Sequence, residues 1–211
     1  VAHALAEATD IVGYGPYVAR VPARAGLTLH ASDNRVEVER ATFAIDLAAA
    51  GKNVVIVSSG DPGVFGMASA LFEALERRGD AHQLDIRVLP GVSAMFAAAA
   101  RIGAPLGHDF CAINLSDNLK PWPLVEKRLR LAIEADFAIA LYNPRSKARP
   151  HQCEQAFTVM RAASSVDRIV MFAKAISTPQ EFIVTAPLSQ ARGEMADMRT
   201  LVLIGNSTTR R

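Results

Sequence analysis

Short runs of branched and apolar residues alternate along this sequence with stretches of helical period, and that alternation restricts the fold more than any other feature. DIVGY, LTLHA, NVVIVSS, DIRVLP, FCAINLS, DFAIALYN and RIVMFAKA read as buried or half-buried strands. Between most of them, residues 36–50, 65–77, 93–101, 124–135 and 151–163 repeat apolar side chains at the helical interval. Strands joined through helices return to a sheet in parallel, so the sequence predicts an α/β fold with a largely parallel N-terminal sheet. The last third differs. EFIVT and TLVLIG follow one another without a convincing helix between them, which predicts a mixed C-terminal sheet. The turn-rich IGAPLGHDF at 102–110 separates the two regions, giving an expected N-terminal α/β domain over 1–107 and a C-terminal one over 108–211.

Several function classes fall away. Lys and Arg number 23 against 21 Asp and Glu, scattered rather than striped, so no nucleic-acid partner is expected. The longest apolar runs, such as Phe96 to Ala100, are far short of the roughly 20 residues that cross a bilayer, so no membrane partner is expected either. Cys111 and Cys153 form no C-x-x-C pair, which points to a reducing, cytoplasmic setting. Histidines at 3, 30, 82, 108 and 151 lack ligand spacing, so no protein-bound metal is expected. Neither a dinucleotide G-x-G-x-x-G after a strand nor a G-x-S-x-G elbow is present.

Three strand-to-helix junctions stand out. In NVVIVSSGDPGVFG, glycines 60, 63 and 66 leave room for something to approach the backbone closely, ahead of a helix N-terminus. Asp61 and Pro62 also read as an N-cap and N1 pair that needs no ligand. In VLPGVSAMFAAAARIGAP, a Pro90-Gly91 turn and a capping Ser93 precede a helix of small residues. In DFAIALYNPRSKARP, Asn143-Pro144 ends a strand, and Arg145, Lys147 and Arg149 could hold carboxylates or form a solvated loop. His108-Asp109 falls in the interdomain segment, where it could serve acid-base chemistry or act as a hydrogen-bonded linker.

Taken together, SSGDPGVFG, LPGVSAMFAAAARIGAPLGHDFCAINLSDNLKPW and LYNPRSKARP resemble the tetrapyrrole methyltransferases, most closely their precorrin-3B C17-methyltransferase branch. The GDPG and PGVSA turns belong to the wider family, whereas GAPLGHDF, LSDNLKPW and YNPRSK mark the branch. The resemblance implies the two-domain tetrapyrrole methyltransferase fold, S-adenosylmethionine in the cleft between the domains, and a homodimer. It implies an acidic tetrapyrrole substrate, precorrin-3B, methylated at C17 with ring contraction. Cofactor contacts carried over are Ser59, Gly60, Asp61 and Val64, then Ser93 and Ala94, then Tyr142 and Asn143, with Ala173 and Ala175 in FAKAIST bordering the adenine through backbone atoms. Acid-base candidates in the branch-specific segments are His108, Asp109, Ser116 and Asp117. Arg35, Arg145 and Lys147 would pair with the substrate's acetate and propionate arms. A cobalt-bearing substrate, or a non-catalytic tetrapyrrole-binding relative, are the alternatives. The family pattern places a strand ending in a G-x-G-P-G loop before the helix that opens this sequence, whereas Gly13-Tyr14-Gly15-Pro16-Tyr17 matches its second strand. An upstream segment is therefore expected, and with it either an uncovered strand edge beside DIVGY or NVVIV or a neighbouring chain filling that gap.

Overall fold

Contacts in the computed structural model, which describes residues 1–33, 36–78, 84–117 and 120–210, fall into two compact units, Val1–Ser93 and Ala94–Arg211. Arg35 lies outside the described residues. The turn-rich segment at 102–110 groups with the second unit, as does the small-residue helix before it, whereas the sequence pointed to a division after residue 107.

The first unit runs α1 (Ala2–Glu7), β1 (Asp10–Tyr14), α2 (Gly15–Val18), β2 (Thr28–Ser32), α3 (Glu37–Ala49), β3 (Val54–Val57) and α4 (Met67–Arg78). Its three strands are parallel in the order β2-β1-β3, with Ile11 opposite Leu29 on one side and Val55 on the other. Side chains of β3 alternate between two covered faces. Ile56 joins Ala41, Ile45, Met67, Ala74 and Leu75 of α3 and α4, while Val55 and Val57 join Ala8, Ile11 and Val18. Burial on both faces is why β1 and β3 read as apolar runs, whereas the edge strand β2 is largely exposed.

DIRVLP does not form a strand; residues 85–90 are irregular, with Val88 and Leu89 exposed. Branched residues favour a strand only where a neighbour supplies a ladder, and among the described residues β3 pairs with β1 alone. After β1, Gly15 and Pro16 open the single-turn helix α2, where the missing proline N–H costs nothing in the first turn.

The second unit contains α5 (Ala94–Ile102), β4 (Phe110–Asn114), α6 (Trp122–Glu134), β5 (Ala138–Tyr142), α7 (Gln152–Ala163), β6 (Ile169–Lys174), β7 (Phe182–Pro187) and β8 (Thr200–Ile204). Its sheet has the order β4-β5-β8-β6-β7, parallel only between β4 and β5, and so is mixed as the sequence implied. Ile113, Ile139, Leu141, Phe172, Val202 and Ile204 meet Leu129 and Ile133 of α6 and Phe157 and Met160 of α7 in one core. Because β5 and β6 both oppose β8, they run the same way as β4, and all three end at one edge. No helix among the described residues is long and apolar enough to cross a membrane.

Each unit contains a buried charge that is satisfied locally. In the second, the Arg168 guanidinium bonds the carbonyls of Ile133 (2.6 Å) and Phe137 (3.1 Å) and pairs with Asp136 (2.8 Å), tying the end of α6 to the start of β5. In the first, Asp10 accepts from His30 Nε2 (2.7 Å) and Thr9 Oγ1 (2.8 Å). A carboxylate can only accept, so the His30 ring proton sits on Nε2. The His30 bond first, and the Thr9 bond second, hold the Asp10 carboxyl below its ordinary range. Its stabilisation is therefore complete above the unfolded value of about 3.9 and is lost as pH falls through the lower folded value. Asp10→Asn should cost about 1–3 kcal/mol at pH 7, and that deficit should shrink as the pH is lowered below about 4. Urea unfolding from pH 7 to 3 measures this, and a pH-independent deficit would show that the charge of Asp10 contributes nothing.

Candidate functional site

Parallel strands deliver the following loops to their C-terminal edge, and in α/β sheets that edge is where ligands are held. In the first unit the edge carries the loop after β3. Ser59 and Gly60 are exposed there, with Asp61 and Val64 half-buried. Asp61 uses both carboxylate oxygens: Oδ1 accepts from the Gly63 amide (2.8 Å) and Oδ2 from the Gly91 amide (3.2 Å). The Asp61-Pro62 pair does not cap a helix, because α4 begins only at Met67. Asp61 instead clamps its own loop to the Pro90-Gly91 turn 30 residues on.

The glycines follow from the same packing. A Cβ on Gly91 would fall 2.2 Å from the Gly60 carbonyl oxygen, and one on Gly66 would fall 2.8 Å from that of Pro62. The close approach foreseen from the glycine spacing is thus made first by the chain itself. Gly60 (φ 70°) and Phe65 (φ 53°) both take left-handed conformations in this loop, which is costly for phenylalanine and characteristic of functional turns. Ser93 is only 3% exposed, and its hydroxyl has no hydrogen-bond partner among the described residues, so it does not act as the helix cap its position suggested. A buried hydroxyl left in that state is a rare arrangement, since buried polar groups are nearly always hydrogen-bonded.

In the second unit, Tyr142 and Asn143 occupy the end of β5 and the residue after it. The Met95 amide, in the first turn of α5, donates to the Tyr142 hydroxyl (3.2 Å), which brings Ala94 close to Tyr142. Asn143 (φ 51°) donates from Nδ2 to Asn114 Oδ1 (3.1 Å), and the same oxygen accepts from the Ser116 amide (2.9 Å). Leu141, Val202 and Phe172 stand in one row across β5, β8 and β6, so the end of β6 lies at this edge too. Ala173 is paired with both Ile183 and Leu201, which commits its backbone to the sheet. Ala175 (φ 49°) follows the strand, and its carbonyl accepts from the Thr178 hydroxyl (2.7 Å). Ser177 (φ 62°) adds another left-handed residue to the same edge.

The four acid-base candidates divide between the two ends of β4. His108 and Asp109 are exposed just before the strand, where the Asp109 carbonyl accepts from the Ala138 amide (3.0 Å). Ser116 and Asp117 follow its far end, beside Asn114, with Asp117 accepting weakly from Gln152 Nε2 (3.4 Å). A five-residue strand spans about 16 Å, so the two pairs do not act on one reacting centre within this chain. Arg145 is half-buried and donates from Nε to the Pro150 carbonyl (3.2 Å), while Lys147 is exposed on the turn closed by the Ser146 and Arg149 backbones. Asn114 was not singled out from the sequence. Its signal is a polar residue ending the apolar run FCAIN, opposite Tyr142 in the register.

The chain matches the family model of tetrapyrrole (corrin/porphyrin) methylases over residues 1–192. A precorrin-3B C(17)-methyltransferase from a Sinorhizobium species is 52% identical over 211 residues, covering 99% of this chain and 83% of that protein. A probable cobalt-factor III C(17)-methyltransferase from Salmonella typhimurium is 41% identical over 213 residues, covering 98% and 85%. The crystal structure of the methyltransferase CobJ superposes with a TM-score of 0.97 at 62% identity, covering 100% of this chain and 88% of that one. With a family match over most of its length and relatives this similar, the chain belongs to the tetrapyrrole (corrin/porphyrin) methylase family.

Proposed function

We propose that this chain uses S-adenosylmethionine to methylate precorrin-3B at C17, with ring contraction, in cobalamin biosynthesis. The observation that carries the reading is the similarity of nearly the whole chain to a precorrin-3B C(17)-methyltransferase. A cobalt-bearing form of the same macrocycle is the second reading, favoured by the relative named as a probable cobalt-factor III C(17)-methyltransferase. The cysteine usage favours a cytoplasmic enzyme, and the family resemblance implies that it works as a homodimer.

The residues present suit the cofactor. The clamped loop at Ser59, Gly60, Asp61 and Val64, the unpartnered Ser93 hydroxyl, and the Tyr142-Asn143 strand end supply fixed backbone and polar groups for it. S-adenosylmethionine supplies an activated methyl group on a sulfonium. Transfer to carbon is an in-line displacement, so the task of these residues is alignment and exclusion of water rather than covalent attack. Ring contraction also requires a proton to be placed or removed, and Ser116 and Asp117 are our choice for it because they share the edge with Tyr142 and Asn143. Arg145 and Lys147 serve the carboxylate arms, together with Arg35.

Incubation with S-adenosylmethionine and precorrin-3B should yield a product one methyl heavier, with the ring contracted, as read by mass spectrometry. Turnover of the cobalt form alone would select the second reading, and turnover of neither would overturn the proposal. Asp117→Asn should lower kcat by about 10²–10⁴ if it handles a proton. An equal loss in His108→Gln, at the opposite end of β4, would return that role to His108.

The clamp gives a separate expectation. Asp61→Ala removes the acceptor for two amides, each bond to a charged group being worth about 1.5–3 kcal/mol, so it should weaken S-adenosylmethionine binding at least roughly tenfold. Asp61→Asn keeps one acceptor oxygen and should fall between. Calorimetric titration beside thermal melts measures both, and normal binding by a destabilised Asp61→Ala would reduce the clamp to a structural part.

A further inference from the structure

We propose that Asn114 is a positioning residue for the cofactor: its side-chain oxygen fixes which way Asn143 faces, so that Asn143 presents Oδ1 to a hydrogen-bond donor of the ligand. The inference rests on the methyltransferase reading above and extends it to a residue with no role so far. The Ser116 amide lies 2.9 Å from the Asn114 side chain. A backbone amide can only donate, so the atom facing it must be the Asn114 oxygen and not its nitrogen. That oxygen is shared with Asn143 at 3.1 Å, and only an NH₂ group can meet it there. Asn143 therefore turns Nδ2 toward β4, which leaves Oδ1 as its ligand-facing acceptor. Its left-handed backbone (φ 51°) and the buried Pro144 that follows restrict how else the side chain could be carried.

One oxygen thus ties together the exits of two parallel strands, the Ser116-Asp117 segment after β4 and the Asn143-Pro144 segment after β5. Asn114 and Tyr142 are partners in register, and the Leu115 amide adds a bond to the Tyr142 carbonyl (2.9 Å), so the two exits are held rigidly enough for a single acceptor to set the amide's orientation.

The test uses the full chain and three variants. Asn114→Asp keeps an acceptor for both donors, whereas Asn114→Leu removes it, with Asn114→Ala in reserve should the leucine protein not fold. Calorimetric titration with S-adenosylmethionine should show affinity lost about tenfold in Asn114→Leu and largely kept in Asn114→Asp, with melting temperatures close to that of the native protein. Combined with Asn143→Ala, the leucine change should add little, because its effect passes through Asn143. Equal losses in the aspartate and leucine variants, or fully additive losses in the double variant, would overturn the proposal. The Asn143 side-chain NH₂ resonance supplies a readout independent of binding. It should be shifted and protected from exchange in the native and aspartate proteins and solvent-like in the leucine protein. Failure of the native protein to bind S-adenosylmethionine would sink the enzymatic reading, whereas an Asn143 resonance insensitive to Asn114→Leu would sink this one.

Discussion

Parallel strands release their chains at the same edge, and the chemistry of each unit follows from that constraint. In the first unit β1, β2 and β3 are parallel, so the Ser59–Val64 loop is carried at the C-terminal edge. In the second, the antiparallel β8 sits between β5 and β6, and two reversals restore the direction, so that β4, β5 and β6 still end together. A mixed sheet can therefore present the same kind of edge as a parallel one. Loops at such an edge are free of ladder duties, which is why Asn143, Ala175 and Ser177 can adopt left-handed backbones there without breaking the sheet.

Inside these loops, polar groups of the protein satisfy one another before any ligand is considered. The Asp61 carboxylate and the Asn114 amide play parallel parts: each has an acceptor near a strand end, and each reaches across to a second segment of chain. The difference is charge. The Asp61 carboxylate accepts from two backbone amides, whereas the neutral Asn114 amide accepts from one backbone amide and one side chain. Glycine is required at residue 91 because the clamp draws two backbones to contact, a demand set by the fold and independent of the ligand.

Much of this was legible in the sequence, and what was missed has physical causes. Strands such as DFAIALYN were clear because both faces of β5 are buried, which leaves a continuous apolar run with no polar interruption. DIRVLP carried the same local signal and failed, since a strand is a property of a pair and no ladder partner stands beside it among the described residues. The Asp61-Pro62 pair looked like a cap because local spacing cannot reveal Gly91, which is distant in the chain and adjacent in space. His108 and Ser116 were both acid-base candidates close in sequence, yet the extended strand between them carries them to opposite ends of β4. Asn114 was silent for the opposite reason: its importance lies in a side-chain bond to the next strand over, and a single asparagine at the end of an apolar run has no pattern to announce it.

The thiols complete the argument about chemistry. Burial pushes Cys153 up to about 12 and raises Cys111 as well, so neither is a thiolate nucleophile near neutral pH. What the strand ends do offer is amides, hydroxyls and fixed backbone, groups that hold a ligand in place without attacking it. The energy of the second unit is spent in the same direction. Arg168, buried and desolvated, is directed at carbonyls of Ile133 and Phe137 and at Asp136, and it fixes the beginning of β5 rather than facing its end. With one end of β5 anchored by that charge and the other held through Asn143 and Asn114, the strand is set at both ends, and a reaction that depends on aligning two carbon atoms needs that rigidity more than it needs a reactive side chain.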